Sequence, residues 1–86
     1  MSDRAANDRV YWHSRRGMLE IDLALMPFAK EVYPSMSDAD KQTYVRLLEE
    51  EDQDLFAWIL ERSRPEDEKL ATMIDVILEY TKAPKA

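Results

Sequence analysis

Cysteine is absent from this 86-residue chain, glycine occurs once, histidine once, and apolar residues never run long. Each scarcity excludes something. Without cysteine there is no disulfide framework and no thiolate to hold zinc or an iron–sulfur cluster, which fits a reducing compartment. A single glycine leaves no glycine-rich loop to cradle a phosphate, so tight binding of a dinucleotide by the chain itself is not expected and no cofactor of its own is assigned. A single histidine, His13, cannot build a multi-histidine metal site. Its neighbour Ser14 is adjacent in sequence, not a nucleophile at hydrogen-bonding reach. His13 reads as a partly exposed residue of an amphipathic helix. No stretch approaches the ~18 consecutive apolar residues of a membrane span. The first eight residues, Met1 to Asp8, lack the apolar run of a signal peptide and include two acids, which argues against an organelle presequence. The expected location is the cytoplasm, without membrane insertion.

What is present is an ordinary globular composition, 45% hydrophobic and 35% charged. A domain of this size buries about 60% of its unfolded surface, enough for one modest core and no deep ligand cavity. The net charge is −6. It is unevenly placed: residues 1–16 hold Arg4, Arg9, Arg15 and Arg16 against Asp3 and Asp8, a balance of +2, which leaves −8 on residues 17–86. Phosphate neutralisation needs a basic face, so nucleic acid is not an expected partner. The short basic end better suits a partner surface that carries carboxylates.

The apolar spacing is helical throughout. Arg4 to Arg16 reads as a short first helix with Val10, Tyr11 and Ser14 on one side, and Gly17 ends it as a C′ glycine. From Met18 the apolar residues Met18, Ile21, Leu25, Phe28 and Val32 recur at steps of three and four. Leu19, Leu23 and Met26 widen that stripe and predict a second helix near the middle of the fold. Pro27 should kink it or restart a turn, and Tyr33-Pro34 closes it. Ser37, three residues before Asp40, is a start signal for a third helix whose inner face is Tyr44, Leu47 and Leu48. Asp52 is expected to cap a fourth helix with Leu55, Phe56, Ile59 and Leu60 inside. Pro65 is expected at the first position of a fifth, with Glu66, Asp67 and Glu68 at its positive end and Leu70, Met73, Ile74, Ile77 and Leu78 as its stripe. No segment alternates as a half-buried strand does. The expected fold is all-α, a compact five-helix bundle in a single domain over 1–86, with a helical core of about 4–81 and a frayed tail, 82–86, containing Pro84.

Several patterns imitate sites. Asp38, Asp40, Gln42 and Glu49 occupy the first, third, fifth and twelfth positions of a calcium loop, with Val45 at the eighth. The sixth, where that loop turns on glycine, is Thr43. The acidic run Glu49 to Asp54 reads as an exposed connector. Glu20 and Asp22 point about 200° apart on a helix and cannot act as a carboxylate pair. No catalytic set and no metal site emerges, so an enzyme is not expected.

One cluster stands apart: Trp12, His13, Ser14, Arg15, Arg16, Gly17, Met18, Leu19 and Glu20. Tryptophan and arginine dominate protein interfaces, and glycine allows positive φ or close backbone approach. The residues alone leave two accounts open. One is a protein-binding corner; the other is a helix–helix turn with Arg15 or Arg16 paired to Glu20 and Trp12 in the core.

Arg16-Gly17-Met18-Leu19-Glu20 also resembles the Arg-Gly-x-x-Glu signature of the SdhE, or succinate dehydrogenase assembly factor two, family. Arg9-x-x-Trp12 precedes it at the family spacing, and Asp22-Leu23 and Met26-Pro27-Phe28 follow. Leu47-Leu48-Glu49 and Asp52-x-Asp54-Leu55-Phe56-x-Trp58 resemble the later signature, so the resemblance spans roughly residues 8–80. It implies a five-helix chaperone that binds the flavoprotein subunit of succinate dehydrogenase, and in bacteria that of fumarate reductase, and assists covalent attachment of FAD. It also implies that the subunit performs the attachment on its own histidine. Carried over, Arg16, Gly17 and Glu20 would face the flavoprotein, Arg9, Trp12, Arg15 and Met18 would extend the contact, and Asp52 to Trp58 would be structural. A monomer is expected. The alternative is an antitoxin-like or regulatory module with another protein partner.

Overall fold

The computed structural model describes residues 3–83; of the expected tail, Lys82 ends the last helix, Ala83 follows it, and Pro84 to Ala86 lie outside the described residues. Five α-helices follow one another: α1 (Asp3–His13), α2 (Leu19–Glu31), α3 (Asp38–Leu48), α4 (Asp52–Ile59) and α5 (Glu68–Lys82), with a 3-10 turn, Tyr33–Ser35, between α2 and α3. Among the described residues there is no strand. The all-α, five-helix expectation is met.

Helix α2 is the hub and packs against α1, α4, α5 and the 3-10 turn, while α3 lies on α5. Its inner face is Ile21, Ala24, Leu25, Phe28 and Ala29, all buried. Tyr33, Tyr44, Leu47, Leu48, Leu55, Ile59, Leu70, Met73, Ile74 and Ile77 join them in one apolar cluster. Aromatic rings pin the helices together there. Phe28 meets Tyr44 at 5.5 Å between ring centroids and Tyr80 edge-on at 5.6 Å, and Tyr33 meets Tyr44 at 5.5 Å. Such pairs contribute about 0.5–1.5 kcal/mol beyond their buried area. The radius of gyration, 12.2 Å, is that of a close-packed chain of this length.

Several boundary expectations need correction. Helix α1 stops at His13, with Ser14 and Arg15 amides closing its last turn on Val10, Tyr11 and Trp12 carbonyls. Gly17 therefore lies beyond the C′ position and serves the entry to α2. Pro27 does not restart a turn, because α2 runs through it; the amide it lacks would have reached the carbonyl of Leu23. Leu19 and Leu23 do not widen the buried stripe but sit 68% and 63% exposed. Asp52 is the first residue of α4 and not its cap, which falls on Glu51 without a side-chain bond. Pro65 lies buried in the connector before α5, and Asp67 caps that helix instead, its carboxylate accepting from the amides of Lys69 and Leu70. Ser37 does cap α3, its Oγ accepting from Asp40 N at 3.1 Å. Because Asp38–Leu48 is continuous helix, the calcium-loop spacing within it has no loop to act from.

With one glycine in the chain, a left-handed position must be filled by something else. Helix α4 ends in a paired turn, Glu61 N donating to Trp58 O and Arg62 N to Ala57 O, which requires φ near +60° at Glu61. Glu61 adopts φ 61°.

Candidate functional site

The corner between α1 and α2, residues 14–18, is held by three anchors, each a polar side chain satisfying groups that a helix end or loop leaves open. The first is Ser14, fully buried. Its Oγ donates to Val10 O at 2.8 Å and lies 2.7 Å from Tyr44 Oη. Serine has one hydroxyl hydrogen, already given to Val10, so Tyr44 is the donor to Ser14. Burial pushes the Tyr44 hydroxyl up to about 12, partly offset by the positive charge of Arg16. The second anchor is Asp22, whose carboxylate accepts Arg16 N at 2.7 Å and Gly17 N at 3.2 Å. It gathers the loop amides from within the first turn of α2, where the helix dipole favours negative charge.

The third anchor is the Arg16 side chain, which is turned inward and only 13% exposed. Its Nη2 donates to the carbonyl of Leu48, the last residue of α3, and its Nη1 lies 3.3 Å from Asp52 Oδ1 at the start of α4. One guanidinium thus satisfies a helix C-terminal carbonyl and pairs with the acid opening the next helix. Its Nε is buried without a hydrogen-bond partner. Arg16 does not pair with Glu20, and its fork is committed inside the molecule.

With the corner fixed, the other residues of the cluster are presented outward. Trp12 is 60% exposed, edge-on to Tyr11 at 5.1 Å between centroids, so it is not in the core. Arg9, His13, Arg15, Gly17 and Glu20 are exposed, and Met18 is half-buried against the core. Gly17 has φ +79°, and a Cβ placed on it would meet nothing within 4 Å. Glycine is thus favoured there for its backbone conformation, and nothing described lies within 4 Å of where a side chain would start. Trp58, on α4, is half-buried and packs on the core, as expected of the later signature.

Sequence reasoning missed Asp22 as the loop's clasp and Leu19 and Leu23 as exposed residues of α2. The clasp had a signal, since an acid shortly after a loop of free amides is a common acceptor. Exposure of the leucines had none, because α2 is apolar on both sides. Among the described residues no group of three or more histidines and acids is placed to hold a metal ion, and no helix is long and apolar enough to cross a membrane.

Fold and corner together define a small all-α protein that displays an arginine–glycine loop, next to an exposed tryptophan at the end of α1, on a braced helical scaffold. The family described as the flavinator of succinate dehydrogenase matches residues 8–81, and the chain belongs to that family. It is 49% identical to the FAD assembly factor SdhE of Pseudomonas putida over 79 residues, 92% of this chain and 94% of that protein. It is 53% identical to the protein of the same name in Pseudomonas syringae pv. tomato over 72 residues, 84% and 86% of the two chains. With that of Yersinia pestis the identity is 44% over 75 residues, 87% and 85%.

Proposed function

We propose that this chain is a FAD assembly factor, binding the flavoprotein subunit of succinate dehydrogenase and promoting its covalent flavinylation. The observation that carries the reading is the family match over residues 8–81, which contains the whole outward-facing corner. Arg9, Trp12, Arg15, Gly17, Met18 and Glu20 make the contact. Arg16 contributes by fixing the loop that holds them. The chain supplies position and not chemistry: its contacts favour the arrangement of the subunit in which flavin and its acceptor histidine meet, and the subunit forms the bond itself. The open space above Gly17 lets the partner's backbone approach, and the exposed arginines suit carboxylates around it. The protein acts as a monomer in the cytoplasm, and the flavoprotein of fumarate reductase is a second client.

The test is in-gel fluorescence of covalent flavin on the flavoprotein subunit, in cells lacking the endogenous factor and supplied with variants. Glu20→Ala is the clean probe, because Glu20 is exposed and no internal bond ties it, so its melt should match wild type. Losing a charged contact in a desolvated interface typically costs about 2–5 kcal/mol of binding, a thirtyfold loss or more. Wild-type flavinylation by a normally folded Glu20→Ala would remove Glu20 from the contact. Wild-type flavinylation in cells with no factor at all would overturn the function.

A further inference from the structure

Three large apolar side chains remain open to solvent on adjoining elements: Trp12 on α1 and Leu19 and Leu23 on α2, at 60%, 68% and 63% exposure. Leu19 and Leu23 are four residues apart and share one helix face. Half-buried Met26, three residues after Leu23, continues that stripe. Trp12 and Lys30 line one open groove between α1 and α2, which brings the tryptophan to the flank of the same outer face. Helix α2 therefore has two apolar sides, an inner one that fills the core and an outer one that none of the described residues covers. Elsewhere in the described structure only Val76, at 41%, is a large exposed apolar residue. Scattered single residues of that kind are ordinary, whereas two leucines one turn apart on a helix face that a tryptophan flanks toward Lys30 are the makings of an interface core.

We infer that the outer face of α2, Leu19 and Leu23 with Trp12, is the apolar centre of the contact with the flavoprotein subunit, and that Arg9, Arg15 and Glu20 form its charged rim. The inference rests on the function proposed above and deepens it. Continuity identifies the occupant: Leu19 stands between Gly17 and Glu20, so whatever meets that loop must also cover Leu19. Leu23 lies one turn further on. The surface that fits is an apolar patch on the flavoprotein edged by carboxylates facing Arg9 and Arg15, since the rest of this chain carries the opposite, acidic balance. Affinity comes from the leucines and Trp12, while the arginines set orientation and encounter rate.

The experiment measures binding of the full chain to purified flavoprotein subunit by titration calorimetry, with wild type, Leu19→Ser, Leu23→Ser and, as control, Val76→Ser. Exposed leucines contribute little to folding, so all four proteins should melt alike. Burial of one leucine in an interface is large enough that each leucine variant should bind about tenfold more weakly or worse, with Val76→Ser unchanged. Wild-type binding by both folded leucine variants, or equal weakening by Val76→Ser, overturns the assignment of this face and leaves the proposed function standing. Absence of binding by wild type overturns the proposed function and this inference with it. Sedimentation of the chain alone supplies the remaining outcome: a dimer that either leucine variant dissolves would make a second copy the occupant of the face.

Discussion

Arg16 and Asp52, thirty-six residues apart, meet across the junction of α3 and α4, and the same guanidinium caps the carbonyl of Leu48. The α1–α2 corner is thereby fastened to the end of α3 and the start of α4. In a motif whose other residues mostly face outward this residue is the exception, its guanidinium bonded inside the molecule.

Arg16→Ala should therefore cost stability as well as activity. A hydrogen bond from a charged group to a carbonyl is worth about 1.5–3 kcal/mol net, whereas the half-exposed partnership with Asp52 adds less. The expected loss of about 2 kcal/mol corresponds to roughly 8–16 °C in a domain of this size. Asp52→Asn should lose no more than about 1 kcal/mol. A double-mutant cycle on thermal melts should give a coupling of about 0.5–1 kcal/mol between the two positions. A melt of Arg16→Ala indistinguishable from wild type would show that the guanidinium is free to face a partner after all.

Gly17 separates conformation from bulk. At φ +79° an alanine pays the left-handed penalty of about 1–2 kcal/mol, while asparagine tolerates that region better. Because a Cβ meets nothing within 4 Å among the described residues, neither substitution clashes there at its Cβ. Gly17→Asn should thus melt closer to wild type than Gly17→Ala, yet both should impair flavinylation if a partner backbone comes down on the open side of the loop. Full activity of Gly17→Asn would leave the glycine with a conformational role only.

The helices were legible because their inner stripes are regular: Tyr44, Leu47 and Leu48 on α3 and Leu70, Met73, Ile74 and Ile77 on α5 are buried as their spacing predicts. Boundaries were less so, since several residues here can cap or open a helix and only geometry chooses among them. Asp52 and Asp67 are the same residue type near two helix starts. One is drawn away by Arg16, while the other turns back onto the amides of Lys69 and Leu70. The corner motif was legible as a cluster of interface residue types, but its division of labour was not. Whether Arg16 points in or out depends on where the end of α3 comes to lie, a long-range contact that local spacing does not encode.

Ser14 and Tyr44 should respond unequally to mutation. Tyr44→Phe removes a donor and leaves Ser14 with its own bond to Val10, so its cost should be near 1 kcal/mol. Ser14→Ala strands a buried phenol hydroxyl and should cost more, about 1–3 kcal/mol. The same burial has a pH signature. The neutral phenol is favoured in the folded state, so its contribution to stability is complete below the unfolded tyrosine value near 10. It is lost as pH rises through about 12. Wild type should lose stability across that alkaline window more steeply than Tyr44→Phe, as chemical denaturation at stepped pH would record.

Glu61 marks where stability can be gained. It holds the left-handed position that ends α4, with φ 61°, in a chain whose one glycine is used elsewhere. A non-glycine residue there sacrifices about 1–2 kcal/mol, of which the greater unfolded freedom of glycine would return part. Glu61 also pairs with Lys82 at 2.8 Å, but both side chains are more than half exposed and such pairs are worth little. Glu61→Gly should therefore stabilise the domain by about 0.5–1 kcal/mol, raising the melting temperature by roughly 2–8 °C. Glu61→Ala, which loses the ion pair yet keeps the strained backbone, should stabilise nothing. Since Glu61 stands beyond the C-terminal end of α4, whereas the corner is tied to Asp52 at that helix's start, flavinylation by Glu61→Gly should equal that of wild type. Stabilisation by Glu61→Ala equal to that by Glu61→Gly would trace the effect to the charge, not to the backbone.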